Sequence, residues 1–267
     1  MKTNQSLNTE SIEKIEVSKK AMKIWETHMT TFCSGRYSAF SLSSELIFAL
    51  TQPDQSKNLR IIDIACGYGG WSKFIQEAAA TKNLNIELTG MDGSEHRLSV
   101  YKDILGDSAN TIQGDLLNTL PDLAKNNSDQ LFDAVILGWA SHEISQSNLE
   151  QIYKAVNLLL KPKGILLIAD FVSALNPEVE EISKELIKKI REDLMSDPEN
   201  QQQEQWLEDI NNYNAHDHAK HNHKHHQHGK RNDYKVDEHF NFLNKAGFSV
   251  SEEVWRYMNS SMILAIK

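Results

Sequence analysis

The chain has 267 residues, 40% of them hydrophobic and 24% charged, enough for one large domain or one domain carrying a substantial insertion. Its formal net charge of −9 argues against a protein whose main partner is a phosphate backbone, since that needs a basic face. The polar start "MKTNQSLNTE", the lack of any run of eighteen apolar residues and the presence of only two cysteines, Cys33 and Cys66, lead us to expect a cytoplasmic protein with no membrane span and no disulfide framework.

From Ser11 to about Cys33 the apolar residues Ile12, Ile15, Met22, Trp25, Met29 and Phe32 recur at helical spacings, predicting a helix with one buried face. "SAFSLSSELIFAL" predicts a second helix, closed by Pro53-Asp54. The pattern then changes to short, almost continuous apolar runs: "RIIDIA" (60–65), "IELTGM" (86–91), "TIQG" (111–114), "FDAVILG" (132–138) and "GILLIAD" (164–170). Strands this apolar are covered on both faces, and helical stretches such as "GWSKFIQEAAA" and "SNLEQIYKAVNLLL" lie between them. That alternation predicts an α/β fold with a doubly wound, mostly parallel sheet.

After Asp170 the alternation stops. Residues 173–235 hold an acidic helical stretch with Val179, Ile182, Leu186, Ile190 and Leu194 on one face, a Gln-rich patch, and "HDHAKHNHKHHQHGKRND", which carries seven of the eleven histidines. We read this segment as an insertion and as a substrate lid or dimer arm, whose histidines alternate with lysines and lack the apolar anchors and fixed ligand pairs of a structural zinc site. No functional metal site is expected there. The alternation resumes with "HFNFLNKAGF" and a terminal pair of strands, "SVSEEVWRYM" and "SMILAIK".

In "RIIDIACGYGGWSKFIQEA" a glycine turn joins a buried strand to a helix; Gly67 and Gly69 let the backbone approach a ligand, and the helix N-terminus offers unpaired N–H groups. Asp92 ends the next strand, where a carboxylate can accept hydrogen bonds from ribose hydroxyls. The order points to a nucleoside-containing cofactor. A dinucleotide fingerprint would want glycine where Ser72 stands, which leaves a nicotinamide dehydrogenase a distant reading.

"DIACGYGG" resembles motif I of the class I S-adenosylmethionine-dependent methyltransferases, an acidic residue and three others before G-x-G. "TGMDGSEHRL", "IQGDLLNTLP", "FDAVILGWASHEIS", "LLLKPKGILLIADF" and "KAGF" follow in the order that family shows, across 59–172 and 236–267. The resemblance implies a seven-stranded Rossmann-like core (59–172 and 236–267), an N-terminal helical lid (1–58), S-adenosyl-L-methionine as cofactor and a small-molecule acceptor, without DNA or membrane partners; a homodimer remains open. It implies that Asp92 and Gly93 hold the ribose and that Asp115 and Leu116 lie near the adenine. Gly138 and Trp139 at the end of the fourth strand belong to the same pocket, though Trp139 reads equally as packing. Asp63, Ala65, Gly67 and Gly69 carry motif I, with Asp63 ordering the loop or meeting the methionine part. Ala65 departs from the glycine usual there.

His142 and Glu143 follow the fourth strand at the carboxyl edge of the sheet. His142 reads as a general base toward the acceptor or as a packed loop histidine, and Glu143 as a surface residue. Asp170 is expected to face the substrate, Cys66 to be a small buried residue, and Arg36 and Tyr37 to meet the cofactor's carboxylate or to sit on the surface of a connector. An RNA or protein methyltransferase and a non-catalytic cofactor- or metal-binding protein are the competing functions.

Overall fold

The computed structural model describes residues 9–33, 35–52, 58–126, 131–203, 205–206 and 232–267; all seven histidines of the run lie outside them. Two helices, α1 (Thr9–Phe32) and α2 (Arg36–Thr51), precede an alternating core. The core runs β1 (Leu59–Ile64), α3 (Gly70–Thr81), β2 (Ile86–Asp92), α4 (Glu95–Leu105), β3 (Asn110–Gln113), α5 (Leu116–Asn126), β4 (Phe132–Gly138), α6 (Gln146–Leu159) and β5 (Leu160–Phe171). It continues as α7 (Pro177–Met195), α8 (Val236–Lys245), β6 (Val250–Tyr257) and β7 (Ser260–Ile266).

The seven strands lie in the order β3-β2-β1-β4-β5-β7-β6. The first five pair in parallel, and β7 is antiparallel to both neighbours. The order reverses between β1 and β4, which opens a crevice at their carboxyl ends, where open α/β sheets bind ligands.

The period-two side-chain alternation decides which layer each strand residue feeds. In β4, Ala134 and Ile136 enter the layer under α2 and α3 with Phe40, Ile47, Trp71 and Ile75. Val135 and Leu137 enter the opposite layer with Tyr153, Leu159 and Phe242 of α6 and α8. The second helix is thus part of the hydrophobic layer: Ala39, Phe40 and Ile47 are fully buried, and Trp71 Nε1 donates to Ser43 Oγ at 2.7 Å.

The helix before β5 ends at Leu159, just ahead of Lys161-Pro162, and β5 pairs regularly with β4 only from Ala134↔Ile165 onward. The two ends of the segment inserted between β5 and α8 meet, with Ser173 bridged to Lys235. Within it, the acidic stretch forms α7, capped by Asn176, whose side chain accepts from the Glu178 and Val179 amides. The acidic stretch is helical as expected, but of its apolar face Val179, Ile182 and Leu186 stay about half exposed, while Ser183 is the residue α7 buries. Among the described residues no helix is long and apolar enough to cross a membrane, and no cluster of three or more His, Cys, Asp or Glu could hold a metal.

Candidate active site

The glycine turn is built from left-handed backbone. Ala65, Gly67 and Gly69 have φ of 58°, 55° and 86°, so the chain reverses within five residues between β1 and α3. A β-carbon on Gly69 would meet the Tyr101 ring at 2.6 Å, which leaves only glycine there. Ala65 tolerates a left-handed conformation at a cost of roughly 1–2 kcal/mol, which is the physical reason glycine is usual at this position.

Asp92, buried at the end of β2, ties this turn to its neighbour: Oδ2 accepts from the Gly67 amide at 3.0 Å and Oδ1 from the Ser94 amide at 2.9 Å. Asp63 lies within β1 and accepts from Ser72 Oγ at 2.7 Å, and Tyr101 Oη donates to the same serine at 3.1 Å. Asp63 therefore anchors the first turn of α3. Burial pushes its carboxyl up to about 7, against the Ser72 hydrogen bond and the Arg36 charge, with Asp92 and Glu26 adding to the rise.

The remaining cofactor-side expectations separate. Asp115 caps α5 through Oδ1, which accepts from the Leu117 and Asn118 amides at 2.9 and 3.2 Å. Leu116 is half-buried against the α6 layer. Gly93 has open space where a β-carbon would stand, whereas one on Gly138 would strike the Trp71 ring at 2.8 Å, so the glycine at 138 serves helix–strand packing.

Beyond β4 the chain turns sharply at Trp139, a bulky residue with φ of 50°, held by its amide to Ala169 O at 2.6 Å. Strained backbone of this kind concentrates at functional sites. The Arg36 guanidinium lies 4.2 Å over the Trp139 ring and 4.8 Å over Phe40. Its Nε and Nη2 donate to Glu26 Oε2 and Oε1 at 2.9 and 3.2 Å. The surface reading of Arg36 is corrected: both members of this pair are buried, while Tyr37 remains half exposed. Two buried donors here, Arg36 Nη1 and Trp139 Nε1, have no hydrogen-bond partner among the described residues. Orphaned donors of this kind suit a ligand that brings acceptors.

A 3-10 turn, Ser141–Glu143, then carries His142. Its Nδ1 lies 2.6 Å from Asp170 Oδ1, and its amide donates to Asp170 Oδ2 at 3.0 Å. Ser141 Oγ and the Phe171 amide donate to the same carboxylate. The idea that Asp170 faces a substrate is corrected: it is fully buried, with both oxygens spent on Ser141, His142 and Phe171. Burial alone would raise its carboxyl, but the hydrogen bonds and charge of His142 and the Ser141 hydroxyl hold it below the ordinary carboxylate range. An ionised carboxylate can only accept, so Nδ1 of His142 carries the proton that faces Asp170, and Nε2 lies 3.9 Å from Glu143 Oε1. The ring stands edge-on to Phe171, and Glu143 is exposed.

The return of the insertion fastens this turn. The Asn232 amide and Nδ2 donate to His142 O at 2.9 and 3.1 Å, Nδ2 reaches Ile144 O at 3.1 Å, and Tyr234 Oη donates to Ile144 O at 2.9 Å. Glu26, Ser141 and Asn232 contact the candidate site residues Arg36, Asp170 and His142, and sequence reasoning misses them. Only Ser141, beside His142, had a neighbour to draw attention to it. Cys66 is buried, as expected.

A family described as "Methyltransferase domain" matches residues 55–238 of the chain. No curated protein sequence matches it. Among solved structures, the CurJ carbon methyltransferase aligns with a TM-score of 0.59 at 13% identity, over 90% of this chain and 57% of that one. The carbon-methyltransferase domain of the citrinin polyketide synthase aligns with a TM-score of 0.56 at 14% identity, over 85% and 51%. Human N-acetylserotonin methyltransferase, solved with S-adenosylmethionine, aligns with a TM-score of 0.54 at 12% identity, over 96% and 56%. The chain thus spans little more than half the length of these neighbours, and the likeness at such identities is one of fold.

Proposed function

Because the chain belongs to the methyltransferase-domain family, we propose that it transfers the methyl group of S-adenosylmethionine to a small molecule, with His142 as the general base. The observation that carries this reading is the 2.6 Å contact between His142 Nδ1 and Asp170 Oδ1, at the carboxyl ends of β4 and β5 and close to the turn that Asp92 fastens.

The fit to the cofactor rests on this chain's own atoms. Asp92 ends β2 beside the crevice and its carboxylate suits ribose hydroxyls; the left-handed turn 65–69 brings backbone close; Arg36 and Trp139 offer unpaired donors. The bound cofactor supplies a sulfonium methyl that is already activated, so the protein mainly has to align donor and acceptor. Asp115 and Gly93 are assigned to the adenosine side and Gly138 to the packing that shapes the pocket wall.

In this scheme His142 Nε2 takes the proton from an acceptor hydroxyl or acidic carbon as the new bond to the methyl group forms. Asp170 stays ionised, orients the ring and stabilises the imidazolium, and a general base positioned in this way is typically worth about 10²–10⁴ in rate. The N-terminal segment (1–58) is proposed as the lid, with α2 as its anchor in the core and α1 lying across Gly67 and Gly70 through Trp25 and Glu26. A site closed this way favours a small acceptor, and the acidic charge balance supports the same choice over nucleic acid.

The test is to incubate the purified protein with S-adenosylmethionine and a panel of hydroxylated and CH-acidic metabolites, reading S-adenosylhomocysteine by mass spectrometry. Acceptor-dependent product that His142→Gln removes supports the proposal. Product formation that is indifferent to His142→Gln refutes the base assignment.

A further inference from the structure

Phe32 at the end of α1, one face of α7 and Asn259 in the turn between β6 and β7 line an open cavity of about 480 Å³. That volume falls in the range of small-molecule sites, roughly 300–1,000 Å³. Its lining is sorted by charge. Three of the four basic residues of α7, Lys184, Lys188 and Arg191, line it, against one of the helix's six acids, Glu192. In a chain with a net charge of −9, that sorting runs against the average surface. Ile187 and Met195, both half-buried on the same helix, supply an apolar wall beside Phe32. The Arg191 guanidinium lies 4.3 Å from the centre of the Phe32 ring, which holds its plane. The cavity adjoins the candidate active site through the end of β5. Asn259 O accepts from the Val172 amide at 2.7 Å, Ser260 pairs with Phe171, and the Phe171 ring stands 5.2 Å from that of His142.

We propose that this cavity is the acceptor subsite and that it selects a molecule with an apolar body ending in a carboxylate, whose other end reaches His142 past Phe171. This rests on the methyl-transfer reading above and deepens it by naming the acceptor's chemical class. A cleft lined by one sign of charge focuses its field and draws in ligands of the opposite sign. The two lysines are exposed and act from the rim, while the half-buried Arg191 is placed for direct contact through its planar fork. Lys184 already lies 3.3 Å from Glu180 and Lys188 3.8 Å from Glu192, which moderates the field. What the three cations and two carboxylates leave over matches the single charge of a carboxylate rather than the two of a phosphate monoester. Phe32, Ile187 and Met195 take the apolar body out of water, so a small inorganic anion would use half of the site and a neutral apolar molecule the other half.

Calorimetry on the full-length protein with 6-hydroxy-2-naphthoate, its neutral carboxamide and 2-naphthyl phosphate reads the cavity directly, with S-adenosylhomocysteine titrated separately. The naphthoate is expected to bind at least about tenfold more tightly than the carboxamide. Arg191→Gln should abolish that preference, and Lys189→Gln, on the same helix but outside the cavity, should leave it unchanged. Because Arg191 packs on Phe32, Lys188→Gln at an exposed position serves as a second variant, expected to reduce the preference about twofold, with thermal unfolding as the control for fold. All three variants should keep the S-adenosylhomocysteine Kd within twofold. Hydrogen exchange with the naphthoate bound should slow amides both in α7 and in the His142 turn, 141–145. Equal affinity for naphthoate and carboxamide, equal losses in Arg191→Gln and Lys189→Gln, or no binding of any probe overturns the subsite while leaving the cofactor site standing. Tighter binding of the phosphate overturns the choice of a carboxylate, and protection confined to α7 overturns the acceptor role. Naphthoate binding by wild-type protein that does not bind S-adenosylhomocysteine overturns the methyl-transfer reading and the acceptor role with it.

Discussion

Asp63 and His239 are buried, titrate in opposite senses, and nearly cancel in their effect on stability. Burial pushes Asp63 from its ordinary 3.8 up to about 7, and burial pushes His239, whose Nδ1 pairs with Tyr153 Oη at 2.8 Å, from 6.5 down to about 4. For Asp63 the folded state binds the proton more tightly, so its stabilisation is complete below 3.8 and is lost as pH rises through 7. For His239 the unfolded state binds the proton more tightly, so its stabilisation is complete above 6.5 and is lost as pH falls toward 4. Integrated from pH 7.5 to pH 5, Asp63 adds and His239 removes an amount of the order of 2–3 kcal/mol each. The wild-type protein should therefore change little over that range on account of these two groups. Asp63→Asn, which keeps an acceptor for Ser72, should lose roughly 2–3 kcal/mol relative to wild type between pH 7.5 and 5. His239→Phe should gain about 2 kcal/mol relative to wild type over the same range. Urea unfolding at the two pH values measures both differences, and contributions from groups that do not interact with the mutated residue cancel between variant and wild type. Three proteins whose stabilities shift in parallel, within about 0.5 kcal/mol, would refute the burial argument for both residues.

Four further outcomes follow from the geometry. His142→Gln should lower turnover of an identified acceptor by about 10²–10⁴ while leaving the S-adenosylhomocysteine Kd within twofold, as measured by steady-state kinetics and calorimetry. Asn232→Ala should speed amide hydrogen exchange across 141–145 and reduce kcat with cofactor affinity unchanged, since it removes the side-chain bonds to His142 O and Ile144 O. Gly69→Ala should cost roughly 2–4 kcal/mol in urea unfolding, because a β-carbon would meet Tyr101 at 2.6 Å on a left-handed backbone, whereas Gly93→Ala should stay within about 0.5 kcal/mol. Deleting 216–228 should leave the S-adenosylhomocysteine Kd unchanged by calorimetry; a joint loss of binding and fold would restore a metal-centred role for the histidine run.

The strands were legible because they are covered on both faces: β4, "FDAVILG", alternates Ala134 and Ile136 into one layer with Val135 and Leu137 into the other, which makes its apolar run unbroken. The place of Asp92 was legible because strand, glycine turn, helix and strand dictate where its carboxylate must lie. What escaped were contacts between elements far apart in the chain. Nothing in the spacing of α1 distinguishes Glu26 from its other carboxylates, since its partner Arg36 belongs to another helix and its neighbour Gly70 to the core. Asp170 was expected toward a substrate because its strand ends at the crevice, but the turn after β4 places Ser141 and His142 over it first. Asn232 sits at the foot of the histidine run, where composition draws the eye to the wrong residues. The apolar stripe of α7 was visible, but amphipathicity says that a face can be buried and not that something covers it.

The central claim is that the crevice between β1, β2 and β4 binds S-adenosylmethionine, with Asp92 as a principal contact. Calorimetric titration of S-adenosylmethionine into wild-type protein and Asp92→Ala tests it most directly. The account predicts saturable one-to-one binding to the wild type and an affinity at least about tenfold weaker for the variant, since a charge-assisted hydrogen bond is worth roughly 1.5–3 kcal/mol. Equal affinity in the two proteins, or no binding to the wild type, would contradict it.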